Sequence, residues 1–404
     1  MNSTLKTSSS PSSVFSVQLL TIFVCFLMNM LDGMDVMVVS YAAPNISKDW
    51  SVSPQSLGVV FSAGLLGMAI GAIFLASRAD KIGRKGIILI SNVLMSVSVF
   101  ATAWANSVEM LTIMRVVSGI GIGGMLASTA TLTSENAPQK TKDFWVSFVM
   151  AGYPIGAVLS GLVAASVIPQ YGWPAIFKIA GFASFVTLPI GYFFLKESKE
   201  FLNKSASRER PALTALLAEK YKKATIGLWV AIFMAFATLY FLTTWIPKLA
   251  SVTGLSVELA IYAGTVFNLG AFFGIISQGY LSSIFGLQKT IFGYLIFTAF
   301  LMLIFGQFAG SVMVLVLFGL IGFGIQGGFV GMYSLAARLY PTEIRATGVG
   351  GAVGIGRIGA IVGPLLGGVL IGAGLSMTTN FIVFAVPTVI SGIAMLYIST
   401  KDSR

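Results

Sequence analysis

Histidine is missing from this sequence altogether, and cysteine occurs once in 404 residues, as Cys25. The first absence removes imidazole proton relays and His-based metal sites. The second removes any intramolecular disulfide. Charge is scarce too. Asp, Glu, Lys and Arg make up 10% of the chain, against roughly 25% in an average soluble domain. With no histidine, no cysteine pair and no large polar domain, an enzyme has little from which to build a reaction. No catalytic and no metal-binding residue is assigned. The Ser-rich stretch from Met1 to Val14 carries one basic residue, Lys6. It lacks a signal-peptide layout, because the apolar run behind it is too long and no small-residue cleavage site follows. It reads as a short disordered tail.

What fills the chain is apolar: 56% of its residues are hydrophobic. Runs long enough to cross a bilayer as helices fall near residues 17–43, 55–77, 86–105, 109–133, 144–167, 173–195, 225–250, 258–281, 289–307, 311–334, 348–371 and 379–399. They predict an all-α integral membrane protein with twelve transmembrane helices. The longest polar interruption, Lys196 to Lys223, follows the sixth run, and its end from Pro211 to Lys223 reads as a short amphipathic helix. The expected organisation is a tail (1–16), a six-helix bundle (17–195), a linker (196–224), a second six-helix bundle (225–399) and a C-terminal tail (400–404).

Placing the N-terminus inside puts nearly every Lys and Arg outside the spans into the tails and even-numbered connections. The outer connections hold only Lys48 and Lys248. By the positive-inside rule both termini are cytoplasmic, with the chain in the inner (plasma) membrane. The net charge of +11 then records topology and contact with anionic lipid. Nucleic acid is not an expected partner.

A shift of 203 residues lays one half on the other. Gly71 and Gly83 fall on Gly274 and Gly286. Gly119, Gly121 and Gly124 fall on Gly322, Gly324 and Gly327, and Pro138 falls on Pro341. Two parallel six-helix repeats suggest a transporter whose site lies between the halves near the midplane. The copies differ chemically. Asp32, Asp35 and Arg115 fall on Ala235, Thr238 and Phe318, and Arg357 falls on Pro154. Proton handling is therefore expected mainly in the first half, and anion capture with help from the second.

Five ionisable residues lie well inside the spans: Asp32, Asp35, Arg115, Lys178 and Arg357. A charge at mid-bilayer costs at least about 2.5–3.5 kcal/mol on insertion scales, so these positions call for a reason. At about 1.5 Å per residue, Asp35 lies roughly 10 Å and Arg115 roughly 9 Å below the outer surface, with Asp32 a turn deeper. If the first and fourth spans are neighbours, Asp35 suits an ion pair with Arg115, and Asp32 is the carboxylate that exchanges a proton next to substrate. The other reading is a fixed bridge between two helices. Arg357 lies near mid-bilayer with no acid in the second-half spans to neutralise it. Its fork suits a carboxylate, and it is read as the substrate anchor. The alternatives are pairing with Asp32 across the halves, or snorkelling inward. Lys178 reads as a cation that snorkels to the outer interface. Tyr153, Tyr240, Asn268, Gln326 and Tyr333 are side chains able to contact a ring or a hydroxyl, and all but Tyr153 are read as substrate-binding candidates.

Between the second and third spans, Asp80 precedes the turn residue Gly83 and the cations Arg84 and Lys85. Asp80 can sit at the positive end of a helix, and these residues read as a cytoplasmic latch. The alternative is a solvated basic loop that only fixes topology. Glu135 closes the fourth span, and Glu343 with Arg345 follows the tenth; they complete the latch set.

With these residues assembled, the chain resembles the major facilitator superfamily over nearly its whole length. The resemblance implies two pseudo-symmetric six-helix bundles. Asp80-Lys81-Ile82-Gly83-Arg84-Lys85 is similar to the superfamily's D-R-x-G-R-K signature, although Ala76 stands where a glycine is usual. Arg115 with Gly119, Gly121 and Gly123 resembles the R-x-x-x-G-x-G-x-G motif of helix 4, associated with proton coupling. Asp32-Gly33-Met34-Asp35 resembles the D-G-x-D motif of the aromatic acid:proton symporters. Pro341 to Gly348 and Gly356 to Ala360 resemble that family as well. The resemblance implies proton-coupled uptake of a small carboxylate, an aromatic acid or a ring-cleavage acid such as muconate. It marks Asp32, Asp35, Arg115 and Arg357 as functional positions. No cofactor beyond the proton is expected, and the chain is expected to be a monomer in membrane lipid. The competing readings are a proton-coupled drug or organic-solute antiporter, a neutral-solute porter and a non-transporting sensor. The antiporter motif G-x-x-x-G-P-x-x-G-G is absent from the fifth span, Arg357 favours an anion over a neutral solute, and the tails are short for signalling. Transport is expected to proceed by rocking of the two halves.

Overall fold

The computed structural model describes residues 11–138, 141–197, 216–252, 254–308 and 313–398. The predicted tails and most of the predicted linker lie outside these, as do the side chains of the latch candidates Asp80 and Glu343. Among the described residues, twelve helices are long and apolar enough to cross a membrane. They are α1 Gln18–Asp49, α2 Pro54–Arg78, α3 Arg84–Thr102, α4 Val108–Asn136, α5 Phe144–Tyr171, α6 Trp173–Phe194, α7 Glu219–Val252, α8 Val257–Phe285, α9 Leu287–Phe308, α10 Met313–Leu339, α11 Thr347–Gly372 and α12 Met377–Tyr397.

Each predicted run is one helix, but the ends differ. The run predicted to stop at Ala43 stays helical to Asp49, and α7 begins at Glu219. Charged Glu219 to Lys223 are therefore the opening turns of a spanning helix, not a separate amphipathic one. Backbone hydrogen bonding continues past the apolar boundary because a helix needs only its own carbonyls, whatever bathes its side chains. At the end of the molecule away from the basic connections, Ser53, Ser107, Ser256 and Ser376 accept hydrogen bonds from the N–H groups of Ser56, Met110, Leu259 and Thr379, satisfying orphan donors at four helix starts. At the basic end, α3 and α9 start directly after Gly83 and Gly286, whose φ values of +97° and +85° lie where a side chain is disfavoured.

The sequence repeat is present in the packing. Gly67 and Gly71 bring α2 against the carbonyls of Val116 and Ile120 on α4, and Gly270 and Gly274 bring α8 against those of Gly319 and Phe323 on α10. Gly156 seats α5 on the Met30 carbonyl of α1, just as Gly359 seats α11 on that of Phe233 on α7. Every one of these pairs is related by the same shift of 203. Such contacts replace the hydrophobic drive, which is weak between helices in lipid. The result is two pseudo-symmetric six-helix bundles, α1–α6 and α7–α12.

The halves meet at the end opposite the basic connections. Ser40 of α1 donates to the carbonyls of Thr243 (3.0 Å) and Thr244 (2.6 Å) on α7, and Ser62 of α2 to that of Ile361 on α11 (2.7 Å). The ring of Phe61 stands edge-on to Trp245 at 5.2 Å. Towards the basic end of α11, Gly350 and Gly354 are exposed, and a Cβ there would meet nothing within 4 Å. Both lie on the Arg357 side of that helix.

Gly156→Val tests one of these crossings. Its side chain would overlap the Met30 backbone, and the expected loss is about 1–3 kcal/mol or more, read as a lower melting temperature of the purified protein.

Candidate functional site

α1 carries both carboxylates because Gly33 lets it approach α5: a Cβ at Gly33 would overlap the Tyr153 carbonyl. One turn apart, Asp32 and Asp35 face the interior and are 2% and 1% exposed. Asp35 Oδ1 accepts a 3.0 Å ion-pair hydrogen bond from Arg115 Nη2, and Arg115 Nη1 also donates to the Asp35 carbonyl at 3.3 Å. The Arg115 guanidinium lies 5.8 Å from the centre of the Phe177 ring of α6, a cation–π contact. It is itself 3% exposed. Arg115 thus ties α4, α1 and α6 together.

Asp32 is different. Neither of its carboxylate oxygens has a hydrogen-bond partner. A buried carboxyl in that position can be satisfied by a proton or by a donor on a bound molecule. Across the interface stands Arg357. Its Nη1 donates to the Tyr240 hydroxyl at 3.3 Å and lies 3.9 Å from the Met68 sulfur of α2, while its Nε has no partner. Asp32 and Arg357 are close enough for their charges to interact, yet no ion pair joins them among the described residues. Tyr153 of α5 interacts electrostatically with both, and Tyr333 of α10 with Arg357. Beside Arg357 runs an aromatic wall. Phe236 stacks on Tyr240 with ring centres 5.9 Å apart, Phe329 meets Phe236 at 4.7 Å, and Tyr333 meets Phe329 edge-on at 5.1 Å. A Cβ at Gly356 would press on the Phe236 ring at 2.6 Å, which fixes that ring next to the arginine.

The structure therefore brings Asp32, Arg357, Tyr240 and Tyr333 into one cluster, with Tyr153 beside them. Asp35 and Arg115 form a separate pair a turn away. Asn268 stands apart from it. Its amide donates to Gly264 of its own helix at 2.9 Å, and it stands within hydrogen-bonding reach of Tyr41, whose hydroxyl donates to the Ala157 carbonyl at 3.0 Å. That places Asn268 at the closed outer junction of α1, α5 and α8. Gln326 is half-buried on α10, seven residues before Tyr333, and hydrogen-bonds to none of the cluster. Lys178 is exposed, its ammonium 5.3 Å from the centre of the Trp104 ring, as snorkelling requires. The aromatic wall is a feature that residue-type reasoning missed, although Phe236 and Tyr240 recur at helical spacing in one span.

At the basic end, Arg84 pairs with Glu135 at 3.3 Å, joining α3 to α4 after the turn at Gly83. The ammonium of Lys85 donates to the Tyr192 carbonyl of α6 at 2.6 Å. Glu197, not anticipated from sequence, accepts from the backbone N–H groups of Arg84 (2.9 Å) and Lys85 (3.2 Å). It is an acid at the positive end of α3, and its position directly after the sixth span was the available signal. Arg345 donates to the Tyr340 carbonyl at 3.3 Å, within its own connection. These latch candidates hold elements of a single half together.

Comparison with known proteins places this geometry in context. The profile of the Major Facilitator Superfamily matches residues 25–285 and 262–404. The 4-hydroxybenzoate transporter PcaK of Acinetobacter baylyi is 32% identical over 412 aligned residues, covering 94% of this chain and 90% of that protein. The 3-(3-hydroxy-phenyl)propionate transporter of Escherichia coli is 32% identical over 401, covering 98% and 97%. Among solved structures, a D-xylose-proton symporter superposes with a TM-score of 0.80 at 19% identity, covering 95% of this chain and 99% of that one. At that identity the likeness concerns the fold.

Asp35→Asn would leave the Arg115 charge buried and uncompensated. The expected destabilisation is about 3–5 kcal/mol, measured by thermal or denaturant unfolding in detergent. Asp35→Asn combined with Arg115→Gln should recover part of that loss, because no lone charge then remains.

Proposed function

Because this chain belongs to the major facilitator superfamily and is kin to its aromatic-acid transporters, we propose that it imports an aromatic monocarboxylate together with protons. It is a transporter and not an enzyme. The observation that carries the reading is Arg357: a guanidinium between the halves, with no carboxylate among the described residues paired to it, beside an aromatic wall. A carboxylate docks on the free edge of Arg357, where a forked, charge-assisted pair is available. The ring lies against Phe236, Phe329 and Tyr333, and the hydroxyls of Tyr153, Tyr240 and Tyr333 stand ready for ring substituents. Benzoate, hydroxybenzoates and phenylpropanoids share this pattern of one anion and one ring, and muconate shares the anion.

The second half of the reading is Asp32. It has no partner in the protein and faces Arg357, so an arriving anion and an arriving proton act on one another directly. Protonation of Asp32 relieves the competition for Arg357, and the anion in turn leaves Asp32 no counter-charge to stay ionised against. This mutual dependence is what symport requires. In the described conformation Asp35 is tied to Arg115, which holds α1 in place. Alternating access follows from rocking of the halves. In the described conformation Ser40, Ser62 and the Phe61–Trp245 contact join the halves at the end opposite the basic connections. With the basic end taken as cytoplasmic by the positive-inside rule, that junction is the outer gate, and on this reading the described conformation is the release state in the inner membrane. The proton is the sole coupling species, no cofactor takes part, and the working unit is the monomer.

Uptake of labelled 4-hydroxybenzoate into proteoliposomes, with and without an imposed inward proton gradient, tests the reading. The expected result is accumulation only with the gradient; accumulation without one refutes proton coupling. Arg357→Lys should weaken anion binding by about 1.4–3 kcal/mol, roughly ten- to a hundredfold in Kd, since one point charge replaces the fork. An unchanged Kd removes Arg357 as anchor. Asp32→Asn should abolish gradient-driven uptake yet leave exchange of labelled for unlabelled substrate intact.

A further inference from the structure

Between α1, α2, α4 and α7 there is a small, partly enclosed chamber. It is lined by Asp35, Gly64, Met68, Arg115, Ser118 and Thr244 together with Phe61 and neighbouring aliphatic side chains. About 20 Å³ is open to the centre of a water molecule, enough for one water and little more. Two lining groups are buried polar atoms that make no hydrogen bond within the protein: Asp35 Oδ2 and Arg115 Nε. One is an acceptor and the other a donor. Ser118 and Thr244 donate their hydroxyls to backbone carbonyls, of Arg115 (3.3 Å) and Tyr240 (2.7 Å), which leaves both oxygens free to accept. A polar site with several unsatisfied partners and room for one molecule is the setting in which buried water is held.

The chamber is not a by-product of the fold. Under the shift of 203 its polar and small residues Asp35, Gly64, Arg115 and Ser118 become Thr238, Phe267, Phe318 and Ile321. Phe267 and Phe318 are completely buried, so the second half is packed solid where the first is hollow. Thr244 belongs to the opposite half. The wall on that side exists only while α7 sits on α1 and α2, held by Ser40 and by Phe61 against Trp245. The charged groups facing Asp35 are Arg115 from α4 and Asp32 on its own helix; α2 and α7 line the chamber without a charge.

We propose that this chamber is a water-binding site and forms the outer end of the proton path. It rests on the reading of the protein as a proton symporter and adds the route by which the proton arrives. The water bridges Asp35 Oδ2, Arg115 Nε and the hydroxyls of Ser118 and Thr244. In the described conformation Thr244 of the second half walls one side of it. When α7 swings away, the same water joins the outer solution. It accepts a proton there and gives one to Asp35 Oδ2, leaving the water itself unchanged, and the proton passes on to Asp32, one turn nearer the basic end. Closure of the outer junction by Ser40 and by Phe61 against Trp245 prevents a continuous water chain from outside to inside, which would leak protons.

Gly64→Ala tests this with little disturbance. The added methyl carbon would meet only Arg115, its carbonyl oxygen at 3.7 Å and its Cβ at 4.0 Å, which are ordinary contacts, while it takes up the space of the water. Thr244→Val keeps the shape and removes a hydroxyl. Full-length protein in liposomes is assayed with labelled 4-hydroxybenzoate for gradient-driven uptake and for counterflow at equal pH. In Gly64→Ala, driven uptake should fall at least about tenfold while counterflow stays within about twofold of wild type; Thr244→Val should shift the same ratio in the same direction. Wild-type driven uptake in Gly64→Ala, or driven uptake and counterflow falling together, overturns the proposal. If wild-type protein shows counterflow of no aromatic acid, the functional reading itself falls, and this inference with it.

Discussion

A guanidinium taken out of water into a helical bundle needs a counter-charge at bonding distance, and in this protein Asp35 gives it to Arg115. Desolvating both groups costs several kcal/mol each, offset only if geometry is close and other hydrogen bonds help. The 3.0 Å contact, the second bond to the Asp35 carbonyl and the Phe177 ring meet that demand. Much else follows from it. α1 is locked in rotation against α4, and Gly33 is placed against α5. With that rotation set, Asp32 comes to lie one turn on, in the interface between halves, with no arginine of its own bundle left to pair with.

The two halves share a skeleton and divide the chemistry. The glycine crossings at α2–α4 and α8–α10, and at α1–α5 and α7–α11, are copies. What differs is what fills them. The first half spends its interior polarity on Asp32, Asp35 and Arg115. The second replaces those positions with apolar and hydroxyl side chains and contributes Arg357 with its aromatic wall. The site therefore exists only at the junction, where an acid from one half and a cation from the other face each other without touching. On the proposed reading, a molecule that satisfies both links the bundles, and occupancy and rocking are then coupled by contact.

Much of this was legible from residue order. Twelve runs, the split after the sixth, the repeat and the five intramembrane charges all depend on composition and spacing over many residues, where local errors average out. Ends were less legible, as at Asp49 and Glu219, because helix hydrogen bonding ignores the polarity that marks a run's boundary. The substrate candidates separated only in three dimensions. Tyr240 and Tyr333 turned towards Arg357, whereas Asn268 joined the outer junction with Tyr41. Glu197 went unnoticed because its role is to meet the start of a helix more than a hundred residues earlier.

The sequence by itself determined that this chain is a twice-repeated bundle of membrane helices with a few charges inside, and that carboxylates and arginines had to find reasons to be there. It did so because the cost of exposing backbone or charge to hydrocarbon leaves few alternatives. Which acid pairs with Arg115, which is left free, which end of the molecule is shut and where the chamber beside Asp35 lies were decided by tertiary structure alone. Those outcomes turn on rotations and approaches of a few ångströms between helices distant in the chain, and no periodicity within a single helix encodes them.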